Sequence, residues 1–192
     1  MARNYTLKRR AERQALTRRR IVEAAVDLHG TVGPARTSLS MVADRAGVQR
    51  NTLYAHFPDE KSLLLACSAA SFENDPPPDA GAWRSIPDRS ERLRVGLAAV
   101  YGWYGGNAEL LGCVLRDAEH YAPVREVSAF RYGPVIGGWH EVLGEGLSGT
   151  QRALLHLALS YHSWRALVRE AGLSDGAAVD TLVRAIGTAE ES

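Results

Sequence analysis

A short polar face between two apolar helical patterns carries the residues with the most specific chemistry in this chain. Arg50 and Tyr54 are four residues apart, as are Asn51 and Ala55, so in a helix these four side chains lie on one outward surface. In the major groove of DNA an arginine can pair with guanine and an asparagine with adenine. A tyrosine hydroxyl can donate a hydrogen bond to a phosphate. The pattern therefore predicts a surface that recognises double-stranded DNA.

The elements around this face predict a helix-turn-helix at about residues 38–57. An apolar stripe indicates a helix that begins at Thr37 or Ser38, both good N-cap residues. Gly47 ends that helix, because glycine readily adopts the left-handed conformation of such a turn. A short polar helix follows over about residues 49–56, and Leu53 points inward. A helix, a glycine turn and a second short helix form the helix-turn-helix arrangement.

Helical periodicity extends over nearly the whole chain. An apolar i, i+3, i+4, i+7 stripe within residues 18–29 predicts the first helix, and Asp59 can cap a fourth. No segment shows the alternation of a strand. The sequence therefore predicts an all-α fold of about nine helices. After a proline-rich loop at about 74–87, further helices are expected at about 88–105, 107–118, 123–144, 150–171 and 174–189.

The charge of the chain is divided unevenly. Residues 1–66 carry twelve Lys and Arg against six Asp and Glu, whereas residues 67–192 carry eleven against sixteen. Residues 1–20 hold eight basic residues and one acidic residue. This run predicts a basic N-terminal arm on the DNA backbone, although a charge run can also be a solvated helix face. We expect residues 1–66 to form a DNA-binding domain and residues 67–192 a larger helical domain for ligand binding and dimerisation.

Several classes of protein are disfavoured by the sequence. No apolar run approaches the roughly 20 residues of a membrane span, and no hydrophobic segment follows the basic N-terminus as in a signal peptide. A cytoplasmic location without a membrane partner is therefore expected. Gly144, Gly146 and Gly149 spell G-x-G-x-x-G, but no strand precedes them as a dinucleotide site requires. The chain also lacks the common catalytic motifs, so neither an enzyme nor a cofactor is predicted.

Histidine and cysteine pairs give no support for a metal site. Cys113 and His120 are seven residues apart, and His156 and His162 are six apart. Neither spacing matches the i,i+4 pairs by which a helix presents two metal ligands. No metal site is predicted.

Bulky aromatic residues alternate with glycines in the C-terminal part of the chain. In a helical bundle this combination fits an apolar ligand pocket, although the same aromatic side chains could simply form the core. The candidate ligand-binding residues are Trp103, Tyr104, Cys113, Trp139 and Trp164.

Two apolar stripes lie near the C-terminus, within about residues 150–189. Each stripe could pack internally as an ordinary buried helical face. The first stripe contains Leu154, Ala158, Tyr161, Arg165 and Val168, and the second contains Val179, Leu182, Val183 and Ile186.

Residues 17–66 closely resemble the DNA-binding domain of the tetracycline-repressor (TetR) family of bacterial transcription regulators. The resemblance covers about 50 of the 192 residues. Four motifs carry it in order and spacing: Ile-x-x-Ala-Ala from Ile21, Thr-Ser-Leu at 37–39, Val-Ala-x-x-Ala-Gly-Val at 42–48 and Thr-Leu-Tyr-x-His-Phe at 52–57.

The resemblance implies a homodimer, joined by the last two long helices at about 150–189, that binds an operator. Each subunit would insert one recognition helix into a major groove. Many members carry Lys then Glu at the start of the fourth helix, whereas here Glu60 precedes Lys61, so either Lys61 or Arg50 would supply that phosphate contact. By position, Gln49, Arg50, Asn51 and Thr52 would face the DNA, Tyr54 and His56 would touch its backbone, and Ser38 and Ser40 would lie near a phosphate.

Three hypotheses for the function follow. The first is a TetR-family repressor, a dimer that binds a palindromic operator and is released by a small, mostly apolar ligand. The second keeps the DNA binding but replaces the small molecule with a protein partner or with no effector. The third is a helical protein that binds a small molecule or catalyses a reaction and carries a vestigial motif. DNA binding separates the third hypothesis from the others, and occupancy of a pocket separates the first two.

Overall fold

The structure is a computed structural model that describes residues 2–189. Within this range it contains ten α-helices, one π-helical turn and no strand, which confirms the all-α prediction. The helices are α1 (Ala2–Thr31), α2 (Leu39–Ala46), α3 (Arg50–His56), α4 (Glu60–Asn74), α5 (Arg89–Gly106), α6 (Ala108–Ala118), α7 (Ala122–Leu143), α8 (Gly149–Ala158), α9 (Tyr161–Trp164) and α10 (Asp175–Thr188). Short 3-10 turns lie at Pro34–Arg36 and Ala80–Ser85, and the π-helical turn spans Arg165–Glu170.

The chain divides into two compact units. The first comprises Met1–Pro76 with Glu109–Arg131, and the second comprises Pro77–Ala108 with Tyr132–Ser192. None of the helices within residues 2–189 combines the length and the apolar character that a membrane span requires.

The first unit is built on α1, which is a continuous helix of 30 residues. Its C-terminal half buries Ile21, Ala25 and Leu28, whereas residues 7–16 are exposed on every side. Apart from Met1, which lies outside the described residues, the predicted basic arm is therefore the N-terminal part of this helix.

Local capping sets the limits of the helix-turn-helix. The Ser38 hydroxyl accepts a hydrogen bond from the Met41 N–H (3.2 Å) at the start of α2, and Gly47 ends the helix at φ 63°. The Asp59 carboxylate accepts a hydrogen bond from the Ser62 N–H (2.7 Å) at the start of α4. These three positions follow the sequence-based prediction, because caps depend on residues within a few positions of one another.

Most of α6 and the start of α7 also belong to the first unit. Leu64 of α4 packs with Val124 and Val127 of α7, and the Tyr121 hydroxyl donates a hydrogen bond to Glu60 Oε2 (2.6 Å). The division therefore differs from the boundary expected between residues 66 and 67. Contacts between residues about 60 positions apart join this segment to α4, and helical periodicity carries no information about them.

The second unit is a helical bundle in which α5 packs against α10. Leu97, Val100, Leu143 and Ile186 are fully buried in its core. The end of α7 approaches α5 closely at Gly96, where an added Cβ would lie 2.6 Å from a δ-carbon of Leu143.

The single helix expected at about 150–171 is wrong. Ser160 is extended (φ −75°, ψ 133°), so the chain forms α8, then α9, then the π-helical turn. The Ser160 hydroxyl accepts a hydrogen bond from the His162 N–H (3.2 Å), and the Tyr161 hydroxyl donates one to the Ala108 carbonyl (2.7 Å). A local cap and a long-range hydrogen bond thus fix an interruption that the apolar pattern does not predict.

The proline-rich loop is anchored at two points. The Trp83 side chain lies in the 3-10 turn Ala80–Ser85 and is only 4% exposed. The Trp139 indole N–H donates a hydrogen bond to the Pro78 carbonyl (2.8 Å). The loop is therefore tied to the unit through Trp83 and Pro78, while most of its other residues are exposed.

Candidate nucleic-acid interface

The outward face of α3 carries most of the residues predicted to contact DNA. Leu53 and Phe57 are 0% and 1% exposed, and they fix the rotation of α3 about its axis. Thr52 and His56 are half-buried at the edges of this face. The structure therefore brings the predicted contacts of α3 onto one surface, with Gln49, Arg50, Asn51, Tyr54 and Ala55 exposed.

Ser38, which caps α2, and Ser40, in the first turn of α2, have different roles. The Ser38 hydroxyl already accepts the capping hydrogen bond from Met41. The Ser40 hydroxyl accepts a hydrogen bond from Nη2 of Arg50. The Arg50 guanidinium is therefore tied to the start of α2, with its remaining N–H groups left for other acceptors.

A groove lies between residues 10–17 of α1 and helix α3. Four residues of α1 line one side, and their spacing follows one helical face: Arg10, Arg13, Gln14 and Thr17. The other side is lined by Asn51, Thr52, Ala55 and His56 of α3. Sequence reasoning located a basic arm but missed this pairing with α3. The spacing of the four α1 residues is the signal that could have singled them out.

Two further arginines of α1 contact the backbone at the ends of the short helices. Nη2 of Arg20 donates a hydrogen bond to the Ala46 carbonyl (2.5 Å). Nη1 of Arg18 donates one to the His56 carbonyl (3.4 Å), and its guanidinium carbon lies 4.2 Å from the centre of the Phe57 ring. Sequence reasoning missed these contacts because the partners are 26 and 38 positions away.

Lys61, the residue predicted to contact a phosphate from the start of α4, is paired within the chain. Its ammonium group donates a hydrogen bond to Glu126 Oε2 (2.7 Å), and both side chains are exposed. This hydrogen bond raises the pKa of Lys61 above its ordinary value and lowers the pKa of Glu126 below its own. An exposed pair of this kind contributes little to stability, so the phosphate contact of Lys61 stays a prediction.

Four of the five candidate ligand-binding residues form one aromatic cluster in the second unit. The Tyr104 ring centre lies 5.7 Å from that of Trp103, 6.4 Å from Trp139 and 6.1 Å from Trp164. Trp139 and Trp164 are each 1% exposed, whereas Trp103 is half-buried. The cluster is therefore closely packed, and Trp103 is its most accessible member.

Buried polar atoms of the cluster are hydrogen-bonded. The Tyr104 hydroxyl donates to the Leu159 carbonyl (2.6 Å), and the Trp164 indole N–H donates to Asp175 Oδ1 (3.2 Å). Burial raises the pKa of Tyr104 above its ordinary value, and the nearby Tyr101 hydroxyl adds a smaller effect in the same direction. These contacts are what a packed core requires.

Cys113, the fifth candidate, lies in the first unit. Its thiol donates a hydrogen bond to the Gly30 carbonyl near the end of α1, with Sγ at 3.4 Å from the oxygen. The structure does not bring Cys113 into the aromatic cluster.

The two C-terminal stripes divide between the interior and the surface. In the second stripe Val179, Val183 and Ile186 are buried within the chain. In the first stripe only Ala158 and Tyr161 are buried, and Arg165 is exposed. A different set of residues on the same helices faces outward: Ala153 and Leu157 of α8 with Ala177, Thr181 and Ala185 of α10. Leu157 is 53% exposed.

The G-x-G-x-x-G segment has a local structural role. Gly146 takes φ 72° in the turn before α8, and Ser148 and Gln151 form a reciprocal capping box at the start of that helix. Among residues 2–189, no group of three or more His, Cys, Asp and Glu side chains is arranged to hold a metal ion.

Comparison with known proteins gives a family match for the helix-turn-helix region. Residues 21–67 match the family model described as bacterial regulatory proteins, tetR family. No curated protein matches the chain. A TetR-like transcriptional regulator from Rhodococcus sp. RHA1 shares 22% identity with a TM-score of 0.63, and the alignment covers 90% of this chain and 94% of that one.

Two further solved structures share the fold. The HlyIIR mutant protein with residues 169–186 replaced by a linker has a TM-score of 0.67 at 15% identity, with 92% of this chain and 100% of that chain covered. FadR from Bacillus subtilis in complex with stearoyl-CoA has a TM-score of 0.60 at 14% identity, with 90% and 98% covered. The family matched by the helix-turn-helix region is one of bacterial regulatory proteins. Residues 21–67 therefore carry a domain that matches the tetR family of bacterial regulatory proteins, and the whole chain shares its fold with solved tetR-family regulators.

Proposed function

We propose that the chain is a dimeric repressor that binds a palindromic operator through α3 and is released by a small, mostly apolar ligand. The observation that carries the DNA-binding step is the outward face of α3. Arg50 and Asn51 lie exposed on it, while Leu53 and Phe57 are buried behind it. A rigidly seated helix with bidentate donors on its outer face is suited to reading base edges in a major groove.

The groove beside α3 supports a second set of contacts. Arg10 and Arg13 of α1 line it opposite Asn51 and His56. With α3 in a major groove, these arginines would lie toward the adjoining phosphates. Phosphate contacts set register and most of the affinity, whereas base contacts set the sequence preference.

Dimerisation is proposed to use the outward side of α8 and α10. Leu157 is half exposed there, and Ala153 of α8 and Ala185 of α10 are also exposed. Two copies joined in this way would present two copies of α3, and a palindromic operator needs them about 34 Å apart.

The ligand is proposed to enter at Trp103, the accessible edge of the aromatic cluster. Trp103 also contacts the Tyr132 ring (6.2 Å between ring centres) and the Trp139 ring (6.1 Å). Apolar ligands suit a pocket lined with aromatic side chains. The FadR relative was solved with stearoyl-CoA, which makes a long acyl chain the first ligand class to test.

A second candidate function is a regulator without a small-molecule effector. The packing of Tyr104, Trp139 and Trp164, with all three polar atoms hydrogen-bonded, favours it. In that case the aromatic cluster serves only as the core of the second unit.

One experiment addresses both candidates. Duplexes that bind the protein are selected from a random pool, and the affinity for the selected duplex is measured by fluorescence anisotropy with and without stearoyl-CoA. The repressor hypothesis expects one sequence with two inverted half-sites and weaker binding when stearoyl-CoA is present. By reciprocity the DNA must then weaken ligand binding by the same factor, read from tryptophan fluorescence. Failure to enrich any duplex would contradict DNA binding, whereas enrichment without a ligand effect would favour the second candidate.

A further inference from the structure

Two arginines of α1 contact the ends of the two short helices of the helix-turn-helix. We infer that Arg18 and Arg20 are positioning residues that hold α3 in place for DNA binding by capping the C-termini of α3 and α2. This rests on the proposed function of α3. It assigns to these two arginines a role different from that of the phosphate-facing arginines Arg10 and Arg13.

The contact at the end of α2 is made by Arg20. Its Nη2 lies 2.5 Å from the Ala46 carbonyl and 3.5 Å from the Gly47 carbonyl. The last carbonyls of a helix have no partner within the helix, and a cation is favourable at that end. Gly47 also leaves room for the guanidinium, because a Cβ there would lie only 3.1 Å from Nη2.

The contact at the end of α3 is made by Arg18. Its Nη1 donates a hydrogen bond to the carbonyl of His56, the last residue of α3. Its guanidinium also covers the ring of Phe57, the buried residue that ends the helix. Arg18 thus combines a C-terminal cap with a cation–π contact on the side chain that anchors α3.

The lengths of the helices explain why such caps matter. α2 has 8 residues and α3 has 7, whereas isolated helices shorter than about 12–15 residues are marginal in water. α1 is continuous through residues 18–20, and side chains at i and i+2 point to different sides of a helix. One arginine therefore reaches the turn before α3 and the other reaches the end of α3, so that a single long helix holds both ends.

Arg19, which lies between them, provides a matched control. Its Nε pairs with Glu23 (2.7 Å) four residues along α1, and both side chains are exposed. Removal of Arg19 takes the same charge from the same turn of α1 without touching α2 or α3.

The test compares Arg18→Ala, Arg20→Ala and Arg19→Ala with Arg18→Gln and Arg20→Gln. Affinity for the selected duplex is measured over a range of salt concentrations, with Arg13→Ala as the reference for a lost phosphate contact. Arg18→Ala and Arg20→Ala are expected to weaken binding about tenfold while leaving the salt slope of log K unchanged. The Gln variants should recover only part of the affinity, because an amide N–H can donate to a carbonyl but the shorter neutral side chain lacks the charge at the helix end and the cation–π contact. Arg19→Ala should bind as the parent does, and Arg13→Ala should reduce the slope by about 1.

Opposite outcomes would overturn the inference. If Arg18→Ala and Arg20→Ala each lower the salt slope by about 1, as Arg13→Ala does, the two arginines are phosphate contacts. Hydrogen exchange in the free protein gives a readout that needs no DNA. The amides of Leu53 and Phe57 should exchange faster in Arg18→Ala and Arg20→Ala than in Arg19→Ala, while the thermal midpoint measured by circular dichroism stays within a few degrees. Equal exchange in all three variants would overturn the inference that Arg18 and Arg20 hold α3 in place. Faster exchange in Arg18→Ala and Arg20→Ala, combined with no DNA binding by the parent protein, would contradict only the proposed function.

Discussion

The carboxylate of Asp117 accepts a hydrogen bond from the backbone N–H of Ala35 (2.9 Å), across 82 positions in sequence. Arg116 donates a second hydrogen bond from Nε to the other carboxylate oxygen (2.8 Å). Burial acts to raise the pKa of Asp117, but the hydrogen bonds from Arg116 and Ala35 outweigh it and hold the pKa below its ordinary value. α6 is thereby fastened to the connection between α1 and α2.

This fastening predicts a strict requirement for glycine at position 33. Gly33 takes φ 98°, and an added Cβ would lie 2.6 Å from Asp117 Oδ2 and in collision with the Arg116 guanidinium. We expect Gly33→Ala to lower the free energy of unfolding by roughly 1–3 kcal/mol, measured by urea denaturation. Gly30→Ala is the control, because Gly30 is helical with nothing within 4 Å of its added Cβ. Equal effects of the two substitutions would refute the steric argument.

If α3 reads base edges as proposed, substitutions at two positions should have large and sequence-selective effects. Arg50→Ala and Asn51→Ala should each weaken operator binding by about 1–3 kcal/mol and relax the preference at particular base pairs. The measurement is anisotropy on the selected duplex and on duplexes with single changes. Should Arg50→Ala bind as well as the parent, the assignment of α3 as the recognition helix in this register would be wrong.

The groove arginines should act on all sequences alike. Arg13→Ala is expected to weaken binding to the selected and to a scrambled duplex by the same factor, and to reduce the salt slope by about 1. A selective loss on the operator alone would instead assign Arg13 to base readout. Arg18 is unsuited to this test, because its guanidinium is already engaged with His56 and Phe57.

Two substitutions, one on α8 and one on α10, distinguish a role in the proposed dimer interface from a role in the core. Leu157 is 53% exposed, so Leu157→Glu should yield a folded monomer in sedimentation experiments. Ile186 is fully buried within the chain, so Ile186→Glu should abolish folding because it places an unpaired charge in the core. A dimer that survives Leu157→Glu would exclude this face.

Burial of His29 predicts a loss of stability in mild acid. Burial lowers its pKa from 6.5 to about 4, although the Asp117 carboxylate acts in the opposite direction. The unfolded chain therefore takes up a proton near pH 6.5, and the folded chain does so only near pH 4. The stability from neutral His29 is complete above about pH 6.5 and is lost as the pH falls to 4, a change of roughly 3 kcal/mol. Urea unfolding of His29→Gln should lack this component, whereas the exposed control His162→Gln should retain it.

The helix-turn-helix could be predicted from sequence because its signals are local. Ser38, Gly47 and Asp59 act on backbone groups within a few residues, and Leu53 sets the buried side of α3 by periodicity. The spacing of residues was therefore enough to predict that Arg50 and Asn51 point outward.

The remaining features depend on contacts that periodicity does not encode. Arg18 belongs to a basic run that looks uniform in sequence, yet it differs from Arg19 through a carbonyl 38 positions away. Cys113 lies in the same apolar pattern as any core residue, and only the path of α6 decides that it meets Gly30. The helix is interrupted at Ser160, whose hydroxyl accepts a hydrogen bond from the His162 N–H. The hydrogen bond from the Tyr161 hydroxyl to the distant Ala108 carbonyl stabilises this interruption.

The anchoring of the proline-rich loop has a consequence for proteolysis. Proteases cut chains that can be drawn out into an extended form, and exposed loops between domains are their usual targets. Here Trp83 is buried and the Pro78 carbonyl is held by the Trp139 indole, so the segment after Pro78 must detach from its unit before it fits a protease cleft. Resistance to limited digestion over residues 78–86 would therefore report on the integrity of the second unit. The rate of cleavage in this segment would depend on Trp139, although Trp139 lies outside the segment.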